Sequence, residues 1–336
     1  TALDALKNIA DFNTFSSASS KASAVSAKVT GTSAAVGSHE VVVTQLAQAQ
    51  RSVSSGFSAG QSLNGGTPFK ISLTVAGSTK PDITVNDTTP AGVVAAINAA
   101  GLDVKASLLD IGSGNTPLRI VLTGQTGAAN SFSLTTVPVA LGGPVPTLGF
   151  PSDPTSAAQE TLPNRKALNA ELTVNGLGVS RSTNKVSDVI DGVTLDLLSV
   201  TGADPAVVTL ARDTAPIKEK IKAIVTAYND LQSILDSALD KDSTVEKLGG
   251  ALVGDSTIRS IRDQVRRILL PDNGSSDSTN TPLSNLRQLG LFVDSDRKMK
   301  FATLKATAAP GESLMSVGDE GRLDQALSSR FEEVAA

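Results

Sequence analysis

The hydrophobic period of this chain changes at Asp213, and that change restricts the possible folds more than any other feature. Over Ile217–Leu239, apolar residues recur at spacings of three and four, which predicts an amphipathic helix of about six turns. Asp213 or Thr214 supplies its cap, and Pro216 lies in its first turn. Before this point, apolar residues recur with a period of two, as in half-buried strands. The chain is therefore predicted to be α+β, with separate helical and β-rich domains.

A compact β-rich unit is predicted over about 68–136. Its first strand contains Phe69, Ile71, Leu73 and Val75, which alternate with polar residues. The same alternation returns at Ile83, Val85, Leu102, Val104, Ala106, Leu108, Leu118, Ile120, Leu122, Phe132 and Leu134. Thr88-Thr89-Pro90 predicts the start of a helix between the second and third strands, and Gly101 predicts its end. The predicted order is strand, strand, helix, strand, strand, strand.

The segments around this unit have weaker patterns. Residues 1–13 are predicted to form a short helix, and Ser16–Ser38 to form an extended polar connector. Residues 138–163 are rich in proline and glycine and are interpreted as a linker. The pattern of strands resumes over 167–212, where Asn175-Gly176 indicates a hairpin.

Further helical segments follow the long helix. The second helix begins after Gly254-Asp255-Ser256 and ends before Pro271. Five of its apolar residues are predicted to face inward: Ile258, Ile261, Val265, Ile268 and Leu269. A short helix over Leu283–Leu289, a hairpin around Asp294–Lys298 and a final helix over Arg322–Phe331 complete the predicted elements.

The simplest arrangement of these segments is nested. A helical domain, 1–36 and 213–336, brackets a β-rich domain formed by 37–66 and 157–212. Inside that domain lies a second, inserted ββαβββ domain, 67–156. Segments of the outer domains lie far apart in sequence, and a nested chain path brings them together.

Composition argues against most catalytic functions. The chain of 336 residues has no cysteine and a single histidine, His39, so thiol chemistry, a multi-histidine metal site and a histidine-based triad have no basis. Nucleotide-binding glycine motifs, basic blocks and long apolar runs do not occur in the sequence. We therefore expect no enzyme activity, no cofactor, no nucleic-acid partner and no membrane insertion. Because the sequence begins with Thr1 rather than Met, we expect it to be part of a longer protein.

Two groups of polar residues are candidate sites. Asp272, Asp277, Asp294 and Asp296 could suggest calcium, but the glutamate that closes a calcium loop is missing, so solvated turns are favoured. The second helix carries Arg259, Arg262, Arg266 and Arg267 beside its apolar residues. They form either a stripe that contacts acidic partner subunits or a further partner protein, or a solvated face near the helix C-terminus.

Several segments, in a fixed order, resemble the flagellar filament cap family, also called flagellar hook-associated protein 2. The most specific segment is Ala170–Leu197, which contains Arg181-Ser182-Thr183-Asn184 and Asp191-Gly192-Val193-Thr194-Leu195. Similar segments are Val43–Ala47, Ile224–Leu231, Gly249–Arg259, Leu289-Gly290-Leu291 and Asp294–Lys300; 69–134 resembles the insertion motif of flagellin-type proteins. The turn Asp294-Ser295-Asp296-Arg297 departs from the family, which often has glycine there.

The resemblance implies a secreted structural protein at the distal tip of the filament, with a helical leg domain and β-rich head domains. It implies a homo-oligomeric ring, pentamer-like in the full-length protein, that retains exported flagellin and promotes its polymerisation. Flagellin is then the further partner protein that a stripe of arginines on the second helix would contact. Two alternatives stay open. One is another axial protein of the flagellum, such as a hook–filament junction protein or a flagellin variant; the other is a secondary role as an adhesin towards host mucin.

Overall fold

The computed structural model describes residues 14–31, 34–242, 244, 253–270, 286–304 and 315–335. The chain divides into two compact units. The β-rich unit contains residues 16–211, and the helical unit contains residues 1–15 and 212–336. The predicted helix over 1–13 lies outside the described residues.

The β-rich unit is built mainly from strands. These are β1 (Phe15–Ser19), β2 (Val25–Val29), β3 (Gly37–Gln45), β4 (Ala49–Val53), β5 (Phe69–Val75), β6 (Ser78–Thr79), β7 (Ile83–Val85), β8 (Lys105–Asp110), β9 (Leu118–Thr126), β10 (Phe132–Pro138), β11 (Ala170–Val174), β12 (Leu177–Arg181), β13 (Lys185–Ile190), β14 (Val193–Leu197) and β15 (Ala206–Arg212). Its helices are α1 (Pro90–Ala99) and the short α2 (Ala157–Glu160).

Four sheets organise these strands. The largest has the order β1-β15-β3-β11-β12, and a second has the order β13-β14-β2. The other two have the orders β10-β5-β6, with β7 also on β5, and β4-β9-β8. The predicted hairpin is confirmed: Asn175 and Gly176, both with positive φ, join β11 to β12. Other neighbouring strands come from distant parts of the sequence, such as β3 with β11 and β2 with β14.

The predicted strand–helix order over 68–136 is confirmed, with the two-residue β6 as an addition. The alternating residues of β5 are fully or almost fully buried in a core that extends from Phe57 to Leu148 in sequence. Helix α1 covers this core with Val93 and Ile97. The Thr89 hydroxyl caps the helix by accepting a hydrogen bond from the Gly92 N–H at 3.1 Å, as the sequence predicts.

One prediction about a connecting segment is wrong. Ser16–Ser38 is not a connector, because β1 pairs with β15 and β2 pairs with β14, and Val25 is fully buried. These strands contain small residues and few large apolar ones, and their partner strands are distant in sequence. Local periodicity therefore did not indicate them. Between β10 and α2 the chain forms no strand or helix, as expected for the segment 138–163 interpreted as a linker, and the side chains of Leu148 and Gln159 in that segment are buried.

The helical unit contains two main helices, α3 (Ala215–Leu239) and α4 (Ser256–Leu269), and a small sheet. The sheet has the order β16 (Leu291–Val293), β17 (Met299–Leu304), β18 (Met315–Val317). The chain closes with α5 (Gly321–Ser329) and α6 (Phe331–Ala335). The predicted long helix, the hairpin and the start of the final helix are confirmed. The predicted short helix is described only as a 3₁₀ turn, Leu286–Leu289.

The core of this unit lies where α3 meets the small sheet and α5. Ile217, Ile221 and Tyr228 pack in one cluster with Leu291, Met299, Phe301, Leu323 and Leu327. The amide of Asn229 donates to the Met299 carbonyl at 2.9 Å and accepts from the Met299 N–H at 2.7 Å, so it holds β17 against α3. Thr214 occupies the N-cap position of α3, and the carboxylate of the preceding Asp213 accepts a hydrogen bond from the Ala215 N–H at 3.1 Å.

The boundary between the two units differs from the predicted domain boundary in one respect. Residues 16–36 lie in the β-rich unit, whereas the sequence assigned them to the helical domain. The finer division of the β-rich part into 37–66 with 157–212, and 67–156 as an inserted domain, stays a prediction.

A network of ion pairs joins α3 to the region around α5. The Lys218 ammonium lies 2.7 Å from both the Glu320 and the Asp324 carboxylates, and the Lys222 ammonium lies 3.1 Å from Glu320. The hydrogen bond from Lys218 is the main cause that lowers the pKa of Glu320 below its ordinary value of 4.5.

This network predicts a loss of stability in acid. Because folding lowers the pKa of Glu320, its charged form stabilises the fold above about pH 4.5, and this contribution disappears as the pH falls through the lowered pKa. We expect Glu320→Gln to lower the melting temperature at pH 7 and to have a smaller effect at pH 3. Fluorescence of Tyr228, the single tyrosine, reports on the helical unit. Glu219→Gln, at a more exposed carboxylate, is the control; an equal effect of Glu320→Gln at both pH values would contradict the prediction.

Candidate partner-binding site

The single histidine, His39, contacts the turn between β11 and β12. His39 lies on β3 and pairs with Val208 of β15. Its Nδ1 lies 3.1 Å from the side-chain nitrogen of Asn175 in the hairpin turn. This contact joins two strands of one sheet and places no nucleophile beside the ring.

Of the aspartates considered as calcium ligands, Asp294 stabilises the turn between β16 and β17. The Asp294 carboxylate accepts hydrogen bonds from the N–H groups of Asp296 and Lys298 and lies 2.5 Å from the Lys300 ammonium. The hydrogen bond from Lys300 is the main cause that lowers the pKa of Asp294. Within the described ranges, no three histidine, aspartate or glutamate side chains form a group that could hold a metal ion. Asp272 and Asp277 lie outside those ranges.

The predicted inward side of helix α4 is correct in part. Val265 and Leu269 pack against the core of the helical unit, whereas Ile261 and Ile268 are exposed by 45% and 70%. Arg262 also faces α3, and the exposed fraction of its side chain is only 15%. It forms an ion pair with Asp236 of α3, since a guanidinium near the interior needs a carboxylate partner.

The four arginines do not form one stripe. At about 100° per residue, Arg259, Arg262 and Arg266 lie within an arc of about 60°, and Arg267 lies outside it. Burial raises the pKa of Tyr228 on α3, and the positive charges of Arg266 and Arg262 oppose this shift, as expected for groups that face α3. Arg267 is exposed. The role of the four residues in partner contact stays a prediction.

An open polar cleft of about 700 Å³ lies at the C-terminal end of α3. It is lined by residues from α3, from α4 and from the β16–β17 turn: Asp236, Ser237, Leu239, Asp240, Arg259, Arg262 and Arg297. We name it the arginine cleft. One oxygen of Asp236, Oδ1, lies 3.0 Å from a guanidinium nitrogen of Arg262 and 3.2 Å from one of Arg297.

Sequence reasoning missed three charged residues of this cleft, Asp236, Asp240 and Arg297. Asp236 is one acidic residue among several on α3, and the period of the helix does not distinguish it. Arg297 had a signal, because it is in the turn where the resembling family often has glycine. Its φ of 61° is in the left-handed region that favours glycine. The arrangement can hold a carboxylate between guanidinium groups, which is a binding function rather than a catalytic one.

Comparisons with known proteins confirm the family resemblance of the sequence. The family profile described as "Flagellar hook-associated protein 2 C-terminus" matches residues 167–336. The B-type flagellar hook-associated protein 2 of Pseudomonas aeruginosa is 31% identical over 100% of this chain and 68% of its own length. Flagellar hook-associated protein 2 of Escherichia coli K12 is 30% identical over 92% of this chain and 66% of its own length. The chain spans 62% of the Xenorhabdus nematophila relative and 54% of the Salmonella typhimurium relative.

Solved structures give the same result for the fold. The D1-D2-D3 domains of the flagellar cap protein FliD from Escherichia coli align over 100% of this chain and 85% of that chain, with a TM-score of 0.64 and 27% identity. FliD from Pseudomonas aeruginosa aligns over 67% of this chain and 99% of that chain, with a TM-score of 0.52 and 29% identity. Among the described residues, no helix has the length and hydropathy to cross a membrane.

Proposed function

Because the chain belongs to the flagellar hook-associated protein 2 family, we propose that it is a structural capping protein at the distal tip of the bacterial flagellar filament. In this role it is secreted, retains exported flagellin at the tip and promotes its polymerisation. The observation that carries the proposal is the similarity over the full length of the chain to a hook-associated protein 2 and to the three-domain structure of a cap protein.

The fold is compatible with a mechanical role rather than a chemical one. This is a family of structural proteins, and we propose that the chain has no catalytic activity and needs no cofactor. Its described interior consists of packed sheets and a helix-and-sheet core. Such a protein acts through surfaces, so its partners are further copies of itself and flagellin. The pentamer-like copy number and the adhesin role towards mucin stay predictions of the sequence.

A deletion experiment tests this function. We expect cells that lack the protein to shed unpolymerised flagellin into the medium and to lose motility, and the full-length gene to restore both. Monomeric flagellin in the medium and filament length by electron microscopy are the measurements. Filaments of normal length in the deletion strain would rule out the cap function. Immunolabelling along the whole filament, rather than at its tip, would favour another axial protein.

A further inference from the structure

The arginine cleft has more positive than negative groups. Three guanidinium groups, from Arg259, Arg262 and Arg297, accompany two carboxylates, from Asp236 and Asp240. Arg262 and Arg297 share a single oxygen of Asp236. Arg259 is exposed and forms no ion pair or hydrogen bond within the described part of the chain. The cleft therefore has a free guanidinium group that can take a carboxylate from another molecule.

Arg297 gives a second, independent indication that the cleft has a function. It adopts a left-handed backbone conformation that is unfavourable for any residue with a Cβ atom. The ion pair of Arg297 with Asp236 adds little stability, because the Arg297 side chain is 56% exposed and Asp236 already pairs with Arg262. Backbone strain that local stability does not explain is a common sign of a functional position.

A complementary surface lies on a different side of the same helix. Leu231 and Ile234 of α3 are apolar and have exposed fractions of 37% and 51%. At about 100° per residue, they point about 140° and 160° away from Asp236. Asp230 lies beside them, is exposed, and has no hydrogen-bond or ion-pair partner among the residues described. We name these three residues the Asp230 face.

These two surfaces suit a contact between copies that is repeated around a ring. When a site and its complement lie on different sides of one protomer, each copy can give one surface and receive the other. A heterologous contact of this kind closes into a ring when the rotation allows it, whereas a two-fold dimer uses the same surface twice. We propose that the arginine cleft binds the Asp230 face of a second copy of the chain. The inference rests on the proposed ring-forming cap and names its contact in the helical unit.

Cysteine crosslinking tests the contact directly, because the chain has no native cysteine. Arg259→Cys and Asp230→Cys chains are prepared separately, mixed, and treated with a short bis-maleimide, since an arginine–carboxylate pair spans more distance than a disulfide. We expect a crosslinked dimer in the mixture and little in either variant alone. Arg267→Cys mixed with Asp230→Cys is the control, on the same helix but outside the cleft. A product no stronger than this control, or one formed by Arg259→Cys alone, would overturn the proposal.

Charge reversal gives an independent measurement. We expect Arg259→Glu and Asp230→Arg each to weaken association at least tenfold and the double variant to recover part of it, because opposite charges face each other again. We expect Arg297→Gly to weaken association while its melting temperature stays equal or rises. Unchanged association in all three single variants would exclude this surface. If the contact fails this test but the deletion strain sheds flagellin, the cap function is still supported. If the crosslink forms but the deletion strain has normal filaments, only the contact between copies of the chain is supported.

Discussion

Gln50→Leu is expected to lower the free energy of unfolding of the β-rich unit by about 3–5 kcal/mol. Gln50 is 1% exposed, and its amide forms a reciprocal pair with the backbone of one residue, Phe132. Its nitrogen donates to the Phe132 carbonyl at 2.7 Å, and its oxygen accepts from the Phe132 N–H at 2.8 Å. Leucine preserves the volume but leaves a buried N–H and a buried C=O without partners, each at about 1–3 kcal/mol.

The position of Phe132 explains why no strand neighbour replaces the two hydrogen bonds from Gln50. It pairs with Val75, and the neighbouring Ala76 N–H donates to the Ser131 carbonyl. Because hydrogen-bonded and non-hydrogen-bonded pairs alternate in an antiparallel ladder, the N–H and C=O of Phe132 point away from β5. They therefore depend on Gln50 at the outer edge of β10.

Gln50 also belongs to a buried polar network. Its nitrogen donates to the Ser52 hydroxyl, which donates to Gln159 at 2.9 Å, and Gln159 donates to the carbonyls of Arg51 and Arg165. Ser52 and Gln159 are 2% and 0% exposed. Partly satisfied networks of this kind are costly, so loss of Gln50 also weakens the contact between β4 and the segment around α2.

Urea unfolding followed by circular dichroism measures the change, and hydrogen exchange of peptides from β10 locates it. Tyr228 fluorescence reports on the helical unit separately. Gln125→Leu is the matched control, because Gln125 is exposed on β9 and its replacement is expected to change stability by less than about 0.5 kcal/mol. A loss below about 1 kcal/mol for Gln50→Leu would mean that the backbone of Phe132 finds other partners.

At three further positions in the described residues, a side-chain amide bonds to both the N–H and the C=O of one other residue. These pairs mark a limit of sequence-based prediction. Asn98 pairs with both backbone groups of Ala106, Asn184 with those of Ala47, and Asn229 with those of Met299. The strand period could be predicted from the sequence, because the alternation of apolar residues in β5 follows directly from its one buried face. An amide pair that joins residues 70 or 137 positions apart leaves no local signal.

Helix α4 shows how far a hydrophobic pattern predicts burial. Its apolar spacing correctly predicted a helix, and the Asp255 side chain caps it at the Thr257 N–H. The spacing was right for Val265 and Leu269, which pack against the core, and wrong for Ile261 and Ile268, which are exposed. The ion pair between Arg262 and Asp236 joins two helices and leaves no local signal in the sequence. Two of the cleft's arginines were predicted as partner-contact residues. Asp236, which makes the cleft, was not.

Gly92→Ala is expected to lower the stability of the β-rich unit by about 2–4 kcal/mol, although alanine is the better helix former. A Cβ atom at position 92 would lie 2.1 Å from the backbone oxygen of Asp87 and 2.4 Å from its Cγ atom. The nearest atom belongs to the backbone, so no change of side-chain rotamer relieves the overlap. The N-terminal turn of α1 must then move away from the Asp87 segment.

That movement disrupts a connected cap. Asp87 accepts hydrogen bonds from the N–H and hydroxyl groups of Thr89, and Thr89 accepts from the Gly92 N–H. These bonds are the main cause that lowers the pKa of Asp87, so the carboxylate is charged when it orders the turn. Val93 and Ile97, 0% and 1% exposed, follow in the same helix, and any displacement of its first turn opens the core beneath them.

A glycine-to-alanine substitution at Gly101, after the other end of α1, separates the effect of atomic overlap from the effect of backbone strain. Gly101 has a φ of +66°, and a Cβ atom there would meet nothing within 4 Å, so Gly101→Ala is expected to cost only about 1 kcal/mol. Urea unfolding of both variants, with hydrogen exchange of peptides from α1, gives the comparison. Because the overlap at Gly92 involves the Asp87 backbone, Asp87→Ala is not expected to rescue Gly92→Ala. Equal losses for the two glycine variants would show that the Asp87 segment yields without cost to the core.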